Sequence, residues 1–190
     1  MNFTVKGLFD EENRDRRRWQ NPEEILKRAG LNPGDVFVDV GCGVGFFTVP
    51  AARIVGNSGE VYGIDVSEEA IEVLKERARR EGLRIVLRVG LAEEATFCDH
   101  CADMVFFGIV LHDFKDPMRV LGNAKKMLKP SGRLVDVDWK KEPTVIGPPV
   151  HRRFSENDAE SRMIRAGFKI ISIKDSGPYN YLIVAEPKAD

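Results

Sequence analysis

The stretch VFVDVGCGVGFF, Val36 to Phe47, constrains what this chain can fold into more than any other. Four of its first five residues are apolar and read as a buried strand, yet Asp39 stands among them. Glycines then follow at every second position, Gly41, Gly43 and Gly45, before an apolar helical pattern resumes. Glycine permits positive φ and lets a ligand approach the main chain closely. A strand, a glycine turn and a helix in that order open a βαβ unit. A carboxylate at the strand tip is out of place in a merely structural bend, so the turn reads as a binding element.

The remainder of the chain repeats the alternation. Asn21-Pro22-Glu23-Glu24 is a helix start, with a capping Asn, Pro at the first helical position and Glu behind it, and the helix is predicted to run to Gly30. Strands are predicted over 35–39, 61–65, 84–89, 103–110 and 132–139, and helices over 45–55, 67–82, 116–128 and 155–167. The last two strands, FKIISIK and YLIVAEP, are separated only by DSGPYN, too little for a crossover helix, so they pair antiparallel. The sum is an α/β fold: a doubly wound, mostly parallel seven-stranded sheet with helices on both faces and an antiparallel last strand. With 190 residues the chain suits a single domain, 1–190, in which residues 1–32 form an N-terminal helical cap over the site.

Ligands of such sheets bind beyond the carboxyl ends of the strands, where the strand order reverses. A dinucleotide fold spaces its glycines GxGxxG and offers a helix N-terminus to a pyrophosphate. Here the pattern is DxGxGxG, from Asp39 to Gly45. A carboxylate in that place repels a pyrophosphate and suits a ligand with an amino group and a cationic centre. A second acid, Asp65, ends the next predicted strand, where it would accept hydrogen bonds from ribose hydroxyls or, alternatively, cap the helix at Ser67. Ribose, amine and cation together describe S-adenosylmethionine.

The ordered segments VDVGCGVG, YGIDVS, VGLAEEATF, CADMVFFGIVLHDFKDP and LKPSGRLVDVDW resemble a class I S-adenosylmethionine-dependent methyltransferase, over about Pro33 to Pro187. Among that class they are most similar to the small ubiquinone/menaquinone-type (type 11-like) group. The resemblance implies S-adenosylmethionine as cofactor, S-adenosylhomocysteine as product and a small-molecule acceptor. It further implies that Asp39 with Gly41, Cys42, Gly43 and Gly45 holds the methionine end, and that Asp65 takes the ribose. Val66 would pack on adenine, the backbone at Ala92 and the nearby Glu93 would meet its amine, and Phe107 with Gly108 would line the methionine part. Leu91 stands where such enzymes usually carry an acid.

Methyl transfer demands mainly positioning, which can supply on the order of 7–11 kcal/mol of the barrier. Candidate bases follow the fourth and fifth strands. His112 suits a base by its ordinary pKa, and Asp138 is a second candidate; either could instead be structural, as could Asp113 and Trp139. The cluster Arg14, Arg16, Arg17, Arg18 and Trp19 is either a solvated helix face or a lid that meets an anionic substrate. The connection from Lys140 to Phe154, with His151, Arg152 and Arg153, is the candidate opposite wall.

Several classes are disfavoured. The net charge of -1 gives no basic footprint, so nucleic acid is an improbable partner, and no [DNS]PP[YF] segment of base-methylating enzymes follows the fourth strand. No apolar run approaches the roughly 20 residues of a membrane span, and MNFTVKGLFDEENRDRRRW does not read as a secretory signal, so a cytoplasmic protein is expected. Three cysteines give no disulfide framework, and Cys98-Asp99-His100-Cys101 lacks the ligands of a structural zinc site, so no metal is expected. The alternatives retained are a tRNA, rRNA or protein methyltransferase and a non-catalytic S-adenosylmethionine-binding protein. A homodimer through Phe3, Leu8 and Phe9 is compatible with the sequence.

Overall fold

A computed structural model describes residues 16–94 and 96–188. Its core is a seven-stranded sheet: β1 Val36–Val40, β2 Glu60–Asp65, β3 Val86–Val89, β4 Ala102–Gly108, β5 Leu128–Trp139, β6 Phe168–Ser176 and β7 Asn180–Pro187. The strand order is β3-β2-β1-β4-β5-β7-β6. The first five strands pair in parallel, and β7 pairs antiparallel with both β5 and β6. The chain therefore winds outward from β1 to β3, returns to β4 and winds the other way. That reversal opens the crevice between the carboxyl ends of β1 and β4. The antiparallel strand is not the edge: β7 slots between β5 and β6, which leaves β6 outermost.

Five helices lying wholly within the described residues cover the sheet: α1 Pro22–Arg28, α2 Thr48–Val55, α3 Glu68–Glu81, α4 Pro117–Met127 and α5 Glu156–Arg165. Side chains alternate across each strand, so both faces must be apolar where both are covered. One face packs Phe37, Phe106, Val135 and Val137 against α1 and α2, with α3 joined through Val49, Ile71 and Leu74. The other packs Val38, Val40, Phe107 and Leu134 against α4 and α5. Four helices start where a short polar side chain turns back on the backbone: Asn21, Ser67, Asp116 and Ser155 each accept from an amide in the first turn.

The exception is α2. A helix from Gly45 was predicted, but Gly45 has φ 88 and the helix begins only at Thr48, with no side-chain cap at Phe47. A left-handed residue cannot join a right-handed helix, so the glycine turn extends to its last glycine. The start of β5 also differs from the predicted Gly132. Leu128 already pairs with Ala102, and the ladder resumes with Arg133 opposite Met104, so Lys129 to Gly132 bulge out between them. Pro130 has no N–H for a ladder, which is the reason the bulge falls there.

Three cysteines offer no disulfide framework, but two of them form one local bond. Cys98 and Cys101 are bonded across a four-residue turn with Cα atoms 5.9 Å apart, a span that Cys-x-x-Cys reaches when the turn is tight. His100 tightens it by adopting φ 49 while its N–H donates to the Lys126 carbonyl. The turn lies at the amino end of β4, away from the crevice. No cluster of metal-ligating side chains occurs among the described residues, and none of their helices is long and apolar enough to cross a membrane. Phe3, Leu8, Phe9 and Arg14 lie outside the described residues. Of the proposed cap, α1 buries Ile25 and Leu26 beside α2, while Arg16 to Gln20 lie at the carboxyl edge of the sheet.

Candidate active site

The glycine turn is fastened to β2 before it reaches the crevice. The amides of Gly41 and Cys42 both donate to the Ile64 carbonyl, at 2.8 and 3.0 Å. Gly41 has φ 79, and a Cβ there would lie 2.7 Å from Val110 Cγ1. Gly43 has φ 50, and nothing lies within 4 Å of where its Cβ would be. The first glycine admits a neighbouring loop and the second leaves space open. Gly45 serves packing instead: a Cβ there would collide with Leu74 of α3.

Asp39 is 2% exposed. Its Oδ2 accepts from Thr48 Oγ1 at 2.6 Å, while Oδ1 has no protein partner. Burial pushes this carboxyl up to about 7; Thr48 opposes the shift and Asp65 adds to it. Facing it across the same cleft is Arg16. The Arg16 guanidinium lies over the Phe46 ring at 4.0 Å, and its Nε donates to Gln20 Oε1 at 2.6 Å. Its Nη2 is buried without a partner. Burial lowers Arg16 to about 10, against the attraction of Asp39 and Asp138, so it stays a cation. A buried carboxyl and a half-buried guanidinium thus each keep one buried atom unanswered in one cleft, the arrangement expected of a receptor for a zwitterion.

That cleft has two lobes. The larger, about 410 Å³, is lined by Arg16, Asp39, Gly43, Phe46, Gly108 and Ile109 among others. The smaller, about 260 Å³, is an apolar slot formed by Val66, Leu91, Ala92 and Phe114, with Glu93 at its margin. Gly41, Asp65 and Val110 belong to both. Asp65 is held at the junction by the amide of Gly43 on Oδ2, at 2.8 Å, and by that of Ser67 on Oδ1, at 2.9 Å.

Other predicted residues are placed differently. Phe107 is fully buried in the α4 face of the core, with its ring against Phe114, and does not line either lobe. The backbone of neighbouring Gly108 lies there instead. Cys42, by contrast, does line the larger lobe, and burial raises its thiol pKa and keeps it protonated. The His112 side chain is 1% exposed and lines neither lobe. Its Nδ1 meets Asp138 Oδ2 at 2.8 Å, and Nε2 lies 3.5 Å from Asp113 Oδ2. Burial opposes its charge, yet the hydrogen bond and charge of Asp138 raise its pKa. Asp138 is no solvated strand end; it is 1% exposed.

Sequence reasoning reached the arginine cluster but could not choose Arg16 from it. It passed over Gln20 and Asn180, which carry the arm's attachment. Gln20 Nε2 donates to Asn180 Oδ1, and Asn180 Nδ2 donates to the Asp138 carbonyl. Trp19 completes the seat against Trp139 and Tyr179, with ring centroids 5.5 and 5.4 Å away. Asp136 is fully buried beside Tyr181, and its carboxyl is raised by burial and then by Asp138, with Tyr181 acting against the shift. The Lys140–Phe154 connection is organised by Arg153. Its guanidinium donates to the carbonyls of Lys140, Glu142, Ile146 and Pro148 and to Thr144 Oγ1, and lies over Trp139.

With this geometry in view, the comparison with known families is decisive. A family model described as a methyltransferase domain matches residues 31–172. This chain belongs to the methyltransferase-domain family. A demethylmenaquinone methyltransferase of Bacillus cytotoxicus is 36% identical to this methyltransferase-domain chain over 126 residues, 66% of this chain and 53% of that protein. One from a Geobacillus species is 34% identical over 133 residues, 70% of this chain and 56% of the relative. The chain thus spans about half the length of these curated relatives. A crystal structure of a SAM-dependent methyltransferase from Aquifex aeolicus superposes with a TM-score of 0.88 at 28% identity, covering 96% of this chain and 98% of that one. The doubly wound methyltransferase fold expected from the sequence is the one observed. The family match begins at residue 31, so Arg16 and Gln20 lie outside it.

Proposed function

We propose that this protein is an S-adenosylmethionine-dependent methyltransferase for a small, largely apolar acceptor of the quinol type. The observation that carries the reading is the pair of unanswered buried atoms, Asp39 Oδ1 and Arg16 Nη2, in the lobe across Asp65 from an apolar slot. The donor set fits an amino-acid end, a sugar and a flat base in that order. Asp39 accepts from the ammonium and Arg16 donates to the carboxylate. Asp65 keeps a second lone pair on each oxygen for the ribose hydroxyls. Val66, Leu91, Ala92 and Phe114 sandwich the base, with Glu93 as the acid nearest its amine. When bound, the cofactor supplies a methyl group on a positively charged sulfur.

The protein's own share is orientation and exclusion of water. Arg16 to Gln20 form the inner part of the cap, seated by Trp19 on the sheet edge. The His112–Asp138 pair anchors the turn after β4 that carries Val110 over Gly41, a positioning role. The quinol class follows the named activity of the relatives and the apolar lining contributed by Phe46, Phe47 and Val110.

Titration calorimetry with S-adenosylhomocysteine tests the cofactor assignment directly. Asp65→Ala removes charge-assisted hydrogen bonds worth about 1.5–3 kcal/mol each and should weaken binding roughly ten- to a hundredfold. An unchanged affinity would refute the role given to Asp65.

A further inference from the structure

Ile109, the first residue past β4, has φ 66. A β-branched side chain in the left-handed region is a genuine steric outlier, and such outliers gather at functional sites. The only other non-glycine residue with positive φ among those described is His100, in the remote disulfide turn. Ile109 instead lines the larger lobe, next to Gly108.

The backbone reason for the kink is visible. The Ile109 N–H still donates to the Val137 carbonyl at 2.7 Å, extending the β4–β5 ladder, and the chain then folds back to bring Val110 against Gly41. Glycine would meet that need without strain. The chain places isoleucine there, and the core does not claim its side chain. Phe107 and Val110 belong to the core cluster on the α4 face, whereas Ile109 belongs to none of the three clusters among the described residues.

We propose that Ile109 is a positioning and specificity-determining residue for the methyl acceptor. Its side chain offers an apolar surface against which a flat, uncharged ring rests. This inference builds on the methyltransferase reading. The charged groups that line the lobe among the described residues are taken by the cofactor, Asp39 and Arg16 by its amino-acid end and Asp65 by its ribose. Phe46 lies under the Arg16 guanidinium and Phe47 in the core, so Ile109 is left to face the acceptor, and its side chain rejects charged molecules as readily as it admits apolar rings.

The test compares Ile109→Gly with Ile109→Ala in the full chain. The probe is a naphthoquinone methylated at both quinone-ring carbons, followed by tryptophan fluorescence with S-adenosylhomocysteine bound. Glycine relieves the strain and alanine does not, so Ile109→Gly should melt about 2–4 °C above Ile109→Ala, the reverse of the usual order. Both variants should bind S-adenosylhomocysteine within about twofold of the wild type while losing about tenfold in naphthoquinone affinity, the share of an aliphatic side chain. Unchanged naphthoquinone affinity in both, or a cofactor-loaded wild type that ignores the probe, overturns the role of Ile109. A wild type that does not bind S-adenosylhomocysteine overturns the methyltransferase reading itself.

Discussion

Asp39→Asn will make the ligand-free protein more stable at pH 8 and cost it at least about a hundredfold in affinity for S-adenosylhomocysteine. Both effects come from one buried carboxyl whose pKa stands at about 7 in the folded chain, against 3.8 as a free side chain. Between those values the folded protein holds a proton that the unfolded chain has released. Stability therefore falls as pH rises from about 4 to about 7, by up to about 4 kcal/mol in total, at about 1.4 kcal/mol per unit. Asparagine preserves the shape and can still bond Thr48, but it does not ionise, so the penalty disappears. Above pH 7 the wild type carries a buried charge that Thr48 and Arg16 offset only in part; an incoming ammonium completes the neutralisation, and it finds no charge to pair with on an amide. Wild-type affinity should accordingly climb as pH rises toward 7, and the Asp39→Asn variant should bind weakly and evenly across that range. Thermal melts at pH 5 and pH 8, with calorimetry alongside, read both halves. Equal affinity in the two proteins would show that the amine is held elsewhere.

Arg16→Met should weaken S-adenosylhomocysteine binding by about two orders of magnitude, within the roughly 2–5 kcal/mol that truncating one partner of a hydrogen-bonded charge pair costs. Methionine keeps the contact with Phe46 and loses only the charge and the donors. Arg16→Lys should fall between, because one ammonium cannot bond both Gln20 and a carboxylate with the geometry of the guanidinium fork. The Arg16 cation also opposes the rise in the Asp39 pKa. In Arg16→Met the stability loss with pH should therefore extend above pH 7. The double variant should be less impaired than the sum of the two losses, because the residues face one ligand within one cleft. Strict additivity would mean that they act on separate sites.

The signals that were legible in the sequence are those with a local cause. Asn21, Ser67, Asp116 and Ser155 announce helices because capping is a matter of a few neighbouring atoms. The strand tip and glycine turn announce the crevice because few other uses need an acid beside so much bare backbone. What the sequence concealed depends on distant neighbours. Gly43 and Gly45 look alike in DxGxGxG, but only Leu74, 29 positions beyond Gly45, makes the last one a packing glycine. Phe106 and Phe107 are equally apolar, and strand parity puts them on opposite faces without saying which face borders the ligand. His112 reads as an available base until Asp138, 26 residues on, is found to hold it in the interior. Among the arginines at the start, nothing local marks Arg16; its partners are Phe46, Gln20 and the field of two carboxylates from β1 and β5.

The arm's attachment has an evolutionary consequence. Among the described residues, its grip on the sheet edge includes the amide-to-amide contact of Gln20 with Asn180 and the packing of Trp19 against Trp139 and Tyr179. The segment proposed to meet the ligand's carboxylate, and its anchors Tyr179 and Asn180, thus lie outside the matched residues 31–172. Lineages could exchange it wholesale, retuning what the pocket admits while leaving the strands and their glycine turn untouched.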